Sequence, residues 1–258
     1  MKYLHMLALG ALIAPLFSGC DTLSQVTTGM PQTGTGNTST TNKTSGTSGT
    51  ITQTEAVTGI KQALSNGLNN SINTLSAQNG FLGDAAVKIL MPKEAQKVEQ
   101  TLRSVGMGAL CDNFITSLNR AAESAVKEAA PVFVNALSQM TVTDAFNILL
   151  GNQQDAATTF FKRTTSATLT TKFSPIVESA LGKNNVSTYW TQLTTAYNSL
   201  PLGKEKVQTD LNAYVTQKAI DGLFVKVAGE ELKIRNNIGN ARNSGILDKV
   251  FGWVDGQK

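Results

Sequence analysis

Apolar residues recur every three or four positions along nearly all of residues 53–258. The first such run is Val57, Ile60, Leu64, Leu68, Ile72 and Leu75. This spacing places the apolar side chains on one side of a helix, where they pack against neighbouring helices. No alternating apolar and polar stretch is long enough to indicate a β-sheet. The sequence therefore predicts an all-α domain, with about nine or ten helices in an irregular multi-helix arrangement rather than a four-helix bundle.

Local signals predict where several of these helices begin and end. The pair Thr143-Asp144 predicts the N-cap of a short helix. Pro175 predicts a break between two helices, because proline lacks the N–H that a helical hydrogen bond requires. Residues 211–227 form the strongest amphipathic stretch. Residues 82–89, which lie close to two glycines, predict a loop docked against the helices.

The N-terminal residues have the three-part layout of an export signal. Met1-Lys2 supplies a positive start, an apolar run extends from Met6 to Phe17, and small residues lead to Cys20. The apolar run is about a dozen residues long, whereas a membrane-spanning helix needs about 20. A cysteine directly after such a run resembles the processing site of bacterial lipoproteins. An ordinary cleaved signal peptide is the alternative.

Lipoprotein processing would remove residues 1–19 and leave Cys20 as the lipid-bearing N-terminus. Two or more acyl chains give stable membrane anchoring where a single chain does not. We therefore expect a bacterial cell-envelope protein, anchored by its lipid, with its domain on the extracytoplasmic (periplasmic) side. The choice between inner and outer membrane is left open, because Asp21 resembles a retention signal in enteric bacteria alone.

A low-complexity stretch separates the predicted anchor from the helical domain. From Thr27 to Thr50 the chain is almost entirely Thr, Gly, Ser and Asn. Such a segment buries too little apolar surface to offset its ordering entropy, which predicts a flexible tether. The predicted organisation is a signal peptide (1–19), a lipidated cysteine with a flexible linker (20–52) and an α-helical domain (53–258).

Five sequence blocks of the domain occur together in a fixed order. They are FLGDAAVKI (81–89) followed by Pro92, NRAAE (119–123), Met140-Thr141 with Asp144-Ala145, residues 214–224 with 230–231, and LDKVFG (247–252). Together they resemble the bacterial domain-of-unknown-function family 4197 over about residues 53–252. The resemblance implies an exported α-helical protein, often a lipoprotein, and it implies no activity.

The residue inventory excludes much of the usual catalytic chemistry. His5, the only histidine, lies in the predicted signal peptide. The processed chain would therefore lack Ser-His-Asp and Cys-His pairs and His-ligated zinc. Cys111 is the only thiol besides Cys20, and it is either a small packed residue or a thiol activated by a helix N-terminus. We expect no catalytic residue, no metal site and no cofactor.

The charge distribution gives no indication of a nucleic-acid partner. The formal net charge is +4 at pH 7, and the basic residues are scattered along the chain rather than grouped in a stripe. No phosphate-binding glycine loop of the known types is present in the sequence. We therefore expect no nucleic-acid binding.

Charged residues in two helices form the candidate site. Arg120 and Glu123 lie three positions apart in an alanine-rich stretch, and Asp221 lies among apolar residues. A buried carboxylate needs an ionic partner or a proton. We predict that Asp221 or Glu123 meets Arg120 across a helix interface as a buried polar clamp, with a charged-ligand site as the alternative. Glu230 and Glu231 diverge by about 100° on a helix, and we expect them to face solvent.

Three classes of function are compatible with these patterns. The leading expectation is a non-enzymatic accessory protein that interacts with another protein of the cell envelope. A carrier or sensor that binds an apolar ligand between helices is the alternative, and a large apolar cavity would favour it. A histidine-free enzyme is a third class, and it would require two acidic groups that converge in a cleft.

Overall fold

The computed structural model describes residues 50–199 and 209–257. These residues contain nine α-helices, a single 3₁₀ turn at Lys93–Ala95, and no β-strand. The helices are α1 (Gln53–Ser76), α2 (Gln96–Ser104), α3 (Gly108–Val126), α4 (Ala129–Gln139), α5 (Val142–Leu150), α6 (Ala156–Lys183), α7 (Val186–Asn198), α8 (Leu211–Arg235) and α9 (Gly245–Asp255). The predicted all-α class and the predicted number of helices are confirmed.

The predictions for the N-terminal region fall outside the part of the chain that the structure describes. They concern the signal peptide, Cys20 and the tether up to residue 49. Among the described helices, none combines the length and the apolarity that a membrane-spanning segment requires.

Helix α8 lies at the centre of the domain. Its most extensive contacts are with α6, α1 and α3. Val215, Ala219 and Leu223 are fully buried along it. The exposed residues Ala213, Gln217, Asp221 and Val225 recur at four-residue spacing, so α8 keeps one side toward solvent and buries the rest of its surface. The helix predicted over residues 211–227 is present, and its buried face is broader than a single apolar stripe.

Two helices begin with a reciprocal capping box. At the start of α1, the backbone N–H of Glu55 donates to the hydroxyl of Thr52, and the Glu55 carboxylate accepts from the Thr52 backbone N–H. At the start of α5, Thr141 and Asp144 make the same pair of hydrogen bonds. The predicted cap at Thr143-Asp144 is thus displaced by two residues, because Asp144 occupies the third helical position and Thr141 is the N-cap.

Pro175 does not interrupt its helix, and the predicted break is wrong. Helix α6 continues through Pro175 as a single element of 28 residues. Pro175 and Thr171 both lie in exposed positions. The Thr171 carbonyl, which loses its helical donor to the proline ring, therefore lies on the side of α6 that water reaches. Solvation of that carbonyl explains why one long helix persists here.

A segment without regular helical structure, residues 77–92, crosses the surface of α3 and α8. We call this segment the strap. Its apolar side chains Phe81, Val87, Ile89 and Met91 are buried. It passes α8 at Gly222, where an added Cβ would lie 2.7 Å from Cε1 of Phe81. The predicted docked loop is confirmed, and the close approach explains why a glycine occupies this position.

We predict opposite effects for two glycine-to-alanine substitutions in α8. Gly222→Ala places a methyl group against fully buried Phe81 and should lower the free energy of unfolding by about 1–3 kcal/mol. Gly229→Ala is the matched control, because Gly229 is exposed and has open space around it. Its higher helix propensity should raise the free energy of unfolding by about 0.5–1 kcal/mol. Urea unfolding measures both, and equal stabilities would contradict the close packing of the strap.

Candidate functional site

Arg120 and Glu123 connect α3 to the strap. The guanidinium of Arg120 donates to Oε2 of Glu123 at 2.6 Å and to Oδ1 of Asn79 at 2.7 Å. The other oxygen of Glu123 accepts from the backbone N–H of Phe81 at 3.3 Å. Glu123 is only 5% exposed. The predicted pairing across a helix interface is therefore wrong, because the ion pair lies within α3. Hydrogen bonds to Asn79 and Phe81 of the strap make the contact between elements.

Asp221, the third residue of the predicted clamp, lies away from this cluster. It is exposed on α8, and its carboxylate accepts a hydrogen bond from Nε2 of Gln217 at 2.9 Å. Its neighbours Ile220 and Gly222 are both buried. Adjacent side chains of a helix lie about 100° apart around its axis. Ile220 and Gly222 can therefore both face neighbouring helices while Asp221, which lies on the side between those two contacts, faces solvent. Apolar neighbours in sequence were a misleading sign of burial here.

Asn119 binds the far part of the strap from the same helix. It is fully buried, and its Oδ1 accepts from the backbone N–H of Ile89 at 2.9 Å. Its Nδ2 donates to the backbone carbonyls of Ile89 at 2.8 Å and of Ile115 at 2.7 Å. The Asn119 amide therefore pairs both the N–H and the C=O of Ile89, as the backbone of a neighbouring β-strand would. Sequence reasoning did not single out Asn119 as a site residue.

Glu231 caps a distant helix from inside the core. Its carboxylate accepts from the backbone N–H groups of Ala157 and Thr158, both at 2.9 Å, at the first turn of α6. Arg235 pairs with the same carboxylate at 2.8 Å and also donates to the carbonyl of Ile148 at the end of α5. Glu231 is 6% exposed, so the expectation that it faces solvent is wrong. The partner lies more than 70 residues away, so no local pattern reveals the contact.

Arg242 caps the C-terminal end of α8 from beyond the helix. It is 6% exposed, and its Nε donates to the carbonyl of Ile234 at 2.9 Å. Its terminal nitrogens donate to the carbonyl of Arg235 and to the carboxylate of Asp255. These bonds satisfy carbonyls that the end of a helix leaves unpaired. The guanidinium also lies 5.1 Å from the ring centre of Phe251 in α9.

The electrostatic shifts fit structural roles for the groups concerned. The Lys226 ammonium and the N–H of Ala86 hold the pKa of the Asp84 carboxyl below its ordinary value, so Asp84 stays ionised on the strap. Burial raises the pKa of the Cys111 thiol, although Cys111 lies in the first turn of α3. Cys111 is fully buried. The structure therefore favours the packed residue over the reactive thiol.

The described residues form several concave regions. A groove of about 240 Å³ between α4 and α6 includes Asp144 and Arg163. A cleft of about 350 Å³ lies between α1, the end of α8 and the loop 236–244. A small apolar pocket near Ile60 has room for about 10 Å³. Within the described ranges, no three His, Cys, Asp or Glu side chains are grouped closely enough to hold a metal ion.

The buried charges share one chemical property. Glu123, Glu231 and Arg242 each bond to backbone atoms of another segment as well as to an ionic partner. A buried ionised group that is fully hydrogen-bonded specifies how segments pack. These residues therefore position helices and the strap, and their bonding capacity is already committed within the domain.

We predict that Glu231 and its neighbour Glu230 differ sharply in their contribution to stability. Glu231→Gln removes the charge opposite Arg235 and one strong acceptor for α6, which should lower the free energy of unfolding by about 2–4 kcal/mol. Glu230→Gln affects an ion pair with half-exposed Lys233 and should change it by less than about 1 kcal/mol. Chemical denaturation of both variants measures the difference. Similar losses in the two variants would show that Glu231 does not anchor α6.

Comparison with known proteins identifies one family. The family described as "Protein of unknown function (DUF4197)" matches residues 50–252. No curated protein matches the chain, and no solved structure matches it. The matched region contains the strap, Arg120, Glu123 and Glu231, and it covers most of the sequence. The chain therefore belongs to the DUF4197 family of proteins of unknown function.

Proposed function

We propose that this chain is a lipid-anchored protein of the bacterial cell envelope, which acts by binding a partner rather than by catalysis. The observation that carries the proposal is the position of Cys20, directly after the apolar run that ends at Phe17 and the small residues Ser18 and Gly19. That layout suits removal of residues 1–19 and lipidation of the new N-terminal cysteine. The domain would then lie on the extracytoplasmic side of a membrane.

The segment after Cys20 suits a tethered binding domain. The Thr-, Gly-, Ser- and Asn-rich stretch ends at Thr50, and α1 begins at Gln53 behind its capping box. A flexible linker of roughly 30 residues has a root-mean-square reach of about 30 Å. Such a linker lets the domain contact partners away from the lipid surface. It also confines the domain to a layer beside the membrane whose thickness is set by the reach of the linker.

The chemistry of the domain favours binding over catalysis. The buried charged groups are already bonded to backbone atoms of other segments. The α4–α6 groove carries one acidic side chain, Asp144, and the cleft beside α1 carries one, Glu230. Mechanisms that rely on carboxylates alone, such as glycoside hydrolysis, place two of them on either side of the substrate. The histidine-free enzyme therefore has weaker support than a binding protein.

The apolar-ligand carrier also has weaker support. The apolar pocket formed by α1, α8 and α9 offers about 10 Å³, which is about the volume that one water molecule requires. Pockets for small-molecule ligands usually measure about 300–1,000 Å³. A lipid or another apolar ligand would need the helices to separate first.

We predict that the protein carries a fatty-acid label in intact cells and that the label depends on Cys20. Cells grown with an alkyne fatty-acid analogue should yield a labelled band, and Cys20→Ala should abolish it. Cys111→Ala is the matched control, because the other cysteine is buried in the domain and its loss should leave the label unchanged. Labelling that survives Cys20→Ala would overturn the lipid anchor.

We also predict that crosslinking in intact cells captures a neighbour of the envelope. Amine crosslinkers react with exposed lysines such as Lys172 and Lys218, and mass spectrometry identifies the linked peptides. Repeated recovery of one envelope protein supports a protein partner. Recovery of a bound lipid from the purified protein, with no protein neighbour, would contradict the binding proposal and favour the carrier.

A further inference from the structure

A cleft of about 350 Å³ lies where α1, the end of α8 and the loop 236–244 meet. Four asparagine side chains line it: Asn66, Asn70, Asn240 and Asn243. We call it the amide cleft. Its volume lies within the range of about 300–1,000 Å³ that is usual for small-ligand sites. None of the predicted site residues lies in it.

The amides of this cleft retain most of their hydrogen-bonding capacity. Asn70 donates from Nδ2 to Glu230 at 3.2 Å. Asn66, Asn240 and Asn243 make no side-chain hydrogen bond to another residue in the ranges that the structure describes. Each asparagine amide offers two donors and an acceptor side by side in one plane. A ligand with adjacent hydroxyl groups, each both donor and acceptor, matches that arrangement.

The charges of the amide cleft neutralise each other. Its lining contains one acidic residue, Glu230, and one basic residue, Lys233. They form an ion pair with 2.6 Å between Nζ and Oε1. An anionic ligand would meet the carboxylate, and a cationic ligand would compete with the lysine. The pairing therefore favours a neutral polar ligand.

The loop wall of the cleft is held in one conformation by specific contacts. Asn237, Gly239 and Asn240 adopt left-handed backbone angles with φ of 49°, 64° and 58°. Oδ1 of Asn237 accepts from the backbone N–H of Arg242 at 3.2 Å. The buried guanidinium of Arg242 then fixes the loop to the end of α8. A wall that is already ordered loses less conformational entropy when a ligand binds.

We propose that the amide cleft is a binding site for a neutral saccharide. Vicinal sugar hydroxyls pair with the asparagine amides, and Ile238, which is 52% exposed, offers an apolar surface for the C–H face of a sugar ring. An extended peptide is the less favoured occupant, because peptides bind chiefly to strand edges or apolar pockets, and the described residues around this cleft contain no strand. The inference goes beyond the proposed function and does not depend on the lipid anchor.

The test is ligand-observed saturation-transfer NMR with the full chain in a zwitterionic detergent that lacks a sugar headgroup. The probes are tri-N-acetylchitotriose, which carries acetamido groups, and maltotriose, which carries hydroxyl groups alone. Saturation transfer to either probe is expected. Stronger transfer to the acetamido sugar would identify amino sugars as the class, and stronger transfer to maltotriose would identify plain hexoses.

Two substitutions connect binding to the cleft. Asn240→Gly keeps the left-handed backbone and removes the amide, and Asn243→Ala removes the second amide of the loop. Together they should weaken binding by about ten-fold or more, through the loss of two or more hydrogen bonds. Asn69→Ala is the matched control, because Asn69 is exposed on α1 beside Asn70 but does not line the cleft.

Three results would overturn the proposal. The first is the absence of saturation transfer to both sugars at millimolar concentration. The second is an affinity that the double variant leaves unchanged while its thermal unfolding is normal. The third is saturation transfer to a neutral tetrapeptide of glycine and serine with none to either sugar, which would assign the cleft to peptides.

Discussion

In a buried segment without regular secondary structure, backbone groups that turn hydrogen bonds do not pair must be paired by side chains, and the strap contains such groups. Phe81 and Ile89 are buried, so their N–H groups lie away from bulk water. An unpaired buried backbone group costs about 1–3 kcal/mol. Glu123 pairs the first of these N–H groups and Asn119 pairs the second. The positions of α3 and of the strap are therefore determined together.

The same requirement explains the buried charges at the ends of other helices. The first turn of α6 has no side-chain cap from its own N-cap residue, Asp155, and Glu231 of α8 supplies the acceptors instead. The end of α8 leaves carbonyls that Arg242 bonds from beyond the helix. Each of these groups is costly to bury alone and favourable when it is fully bonded. Their bonds therefore fix the positions of α5, α6, α8 and α9 relative to one another.

Interactions between residues close in sequence could be predicted from the sequence, whereas interactions between remote residues could not. The helical class follows from apolar spacing, and the reciprocal bonds of Thr52 with Glu55 lie within one turn. The three-residue spacing of Arg120 and Glu123 also lies within one turn and produces their ion pair, although the sequence analysis expected that pair across a helix interface. Contacts between remote segments carry no such signal, as the bond from Ala157 to Glu231 illustrates.

Two of the errors at single residues have a related physical origin. The break at Pro175 was predicted from local helix propensity. The Thr171 carbonyl, which Pro175 leaves without a donor, lies on the exposed side of α6, and this exposure removes most of the free-energy cost of a proline within the helix. Asp221 was interpreted from its apolar neighbours, although burial in a helix depends on direction rather than on adjacency. In both cases the missing information was which side of the helix faces water, and neighbouring helices determine that.

Two adjacent residues at the end of α8 have different roles: one stabilises the core, and the other lies at the proposed binding site. Glu231 points into the core, where it anchors α6, whereas Glu230 points toward the amide cleft, where it pairs with Lys233. Arg242 links the two regions, since it closes α8 and supports the loop that carries Asn240 and Asn243. A change in the core contacts of Glu231 would therefore shift the end of α8 and, with it, the cleft wall. The surface amides, in contrast, can change without leaving a buried group unpaired, so the recognition properties of this face can vary while the fold is kept.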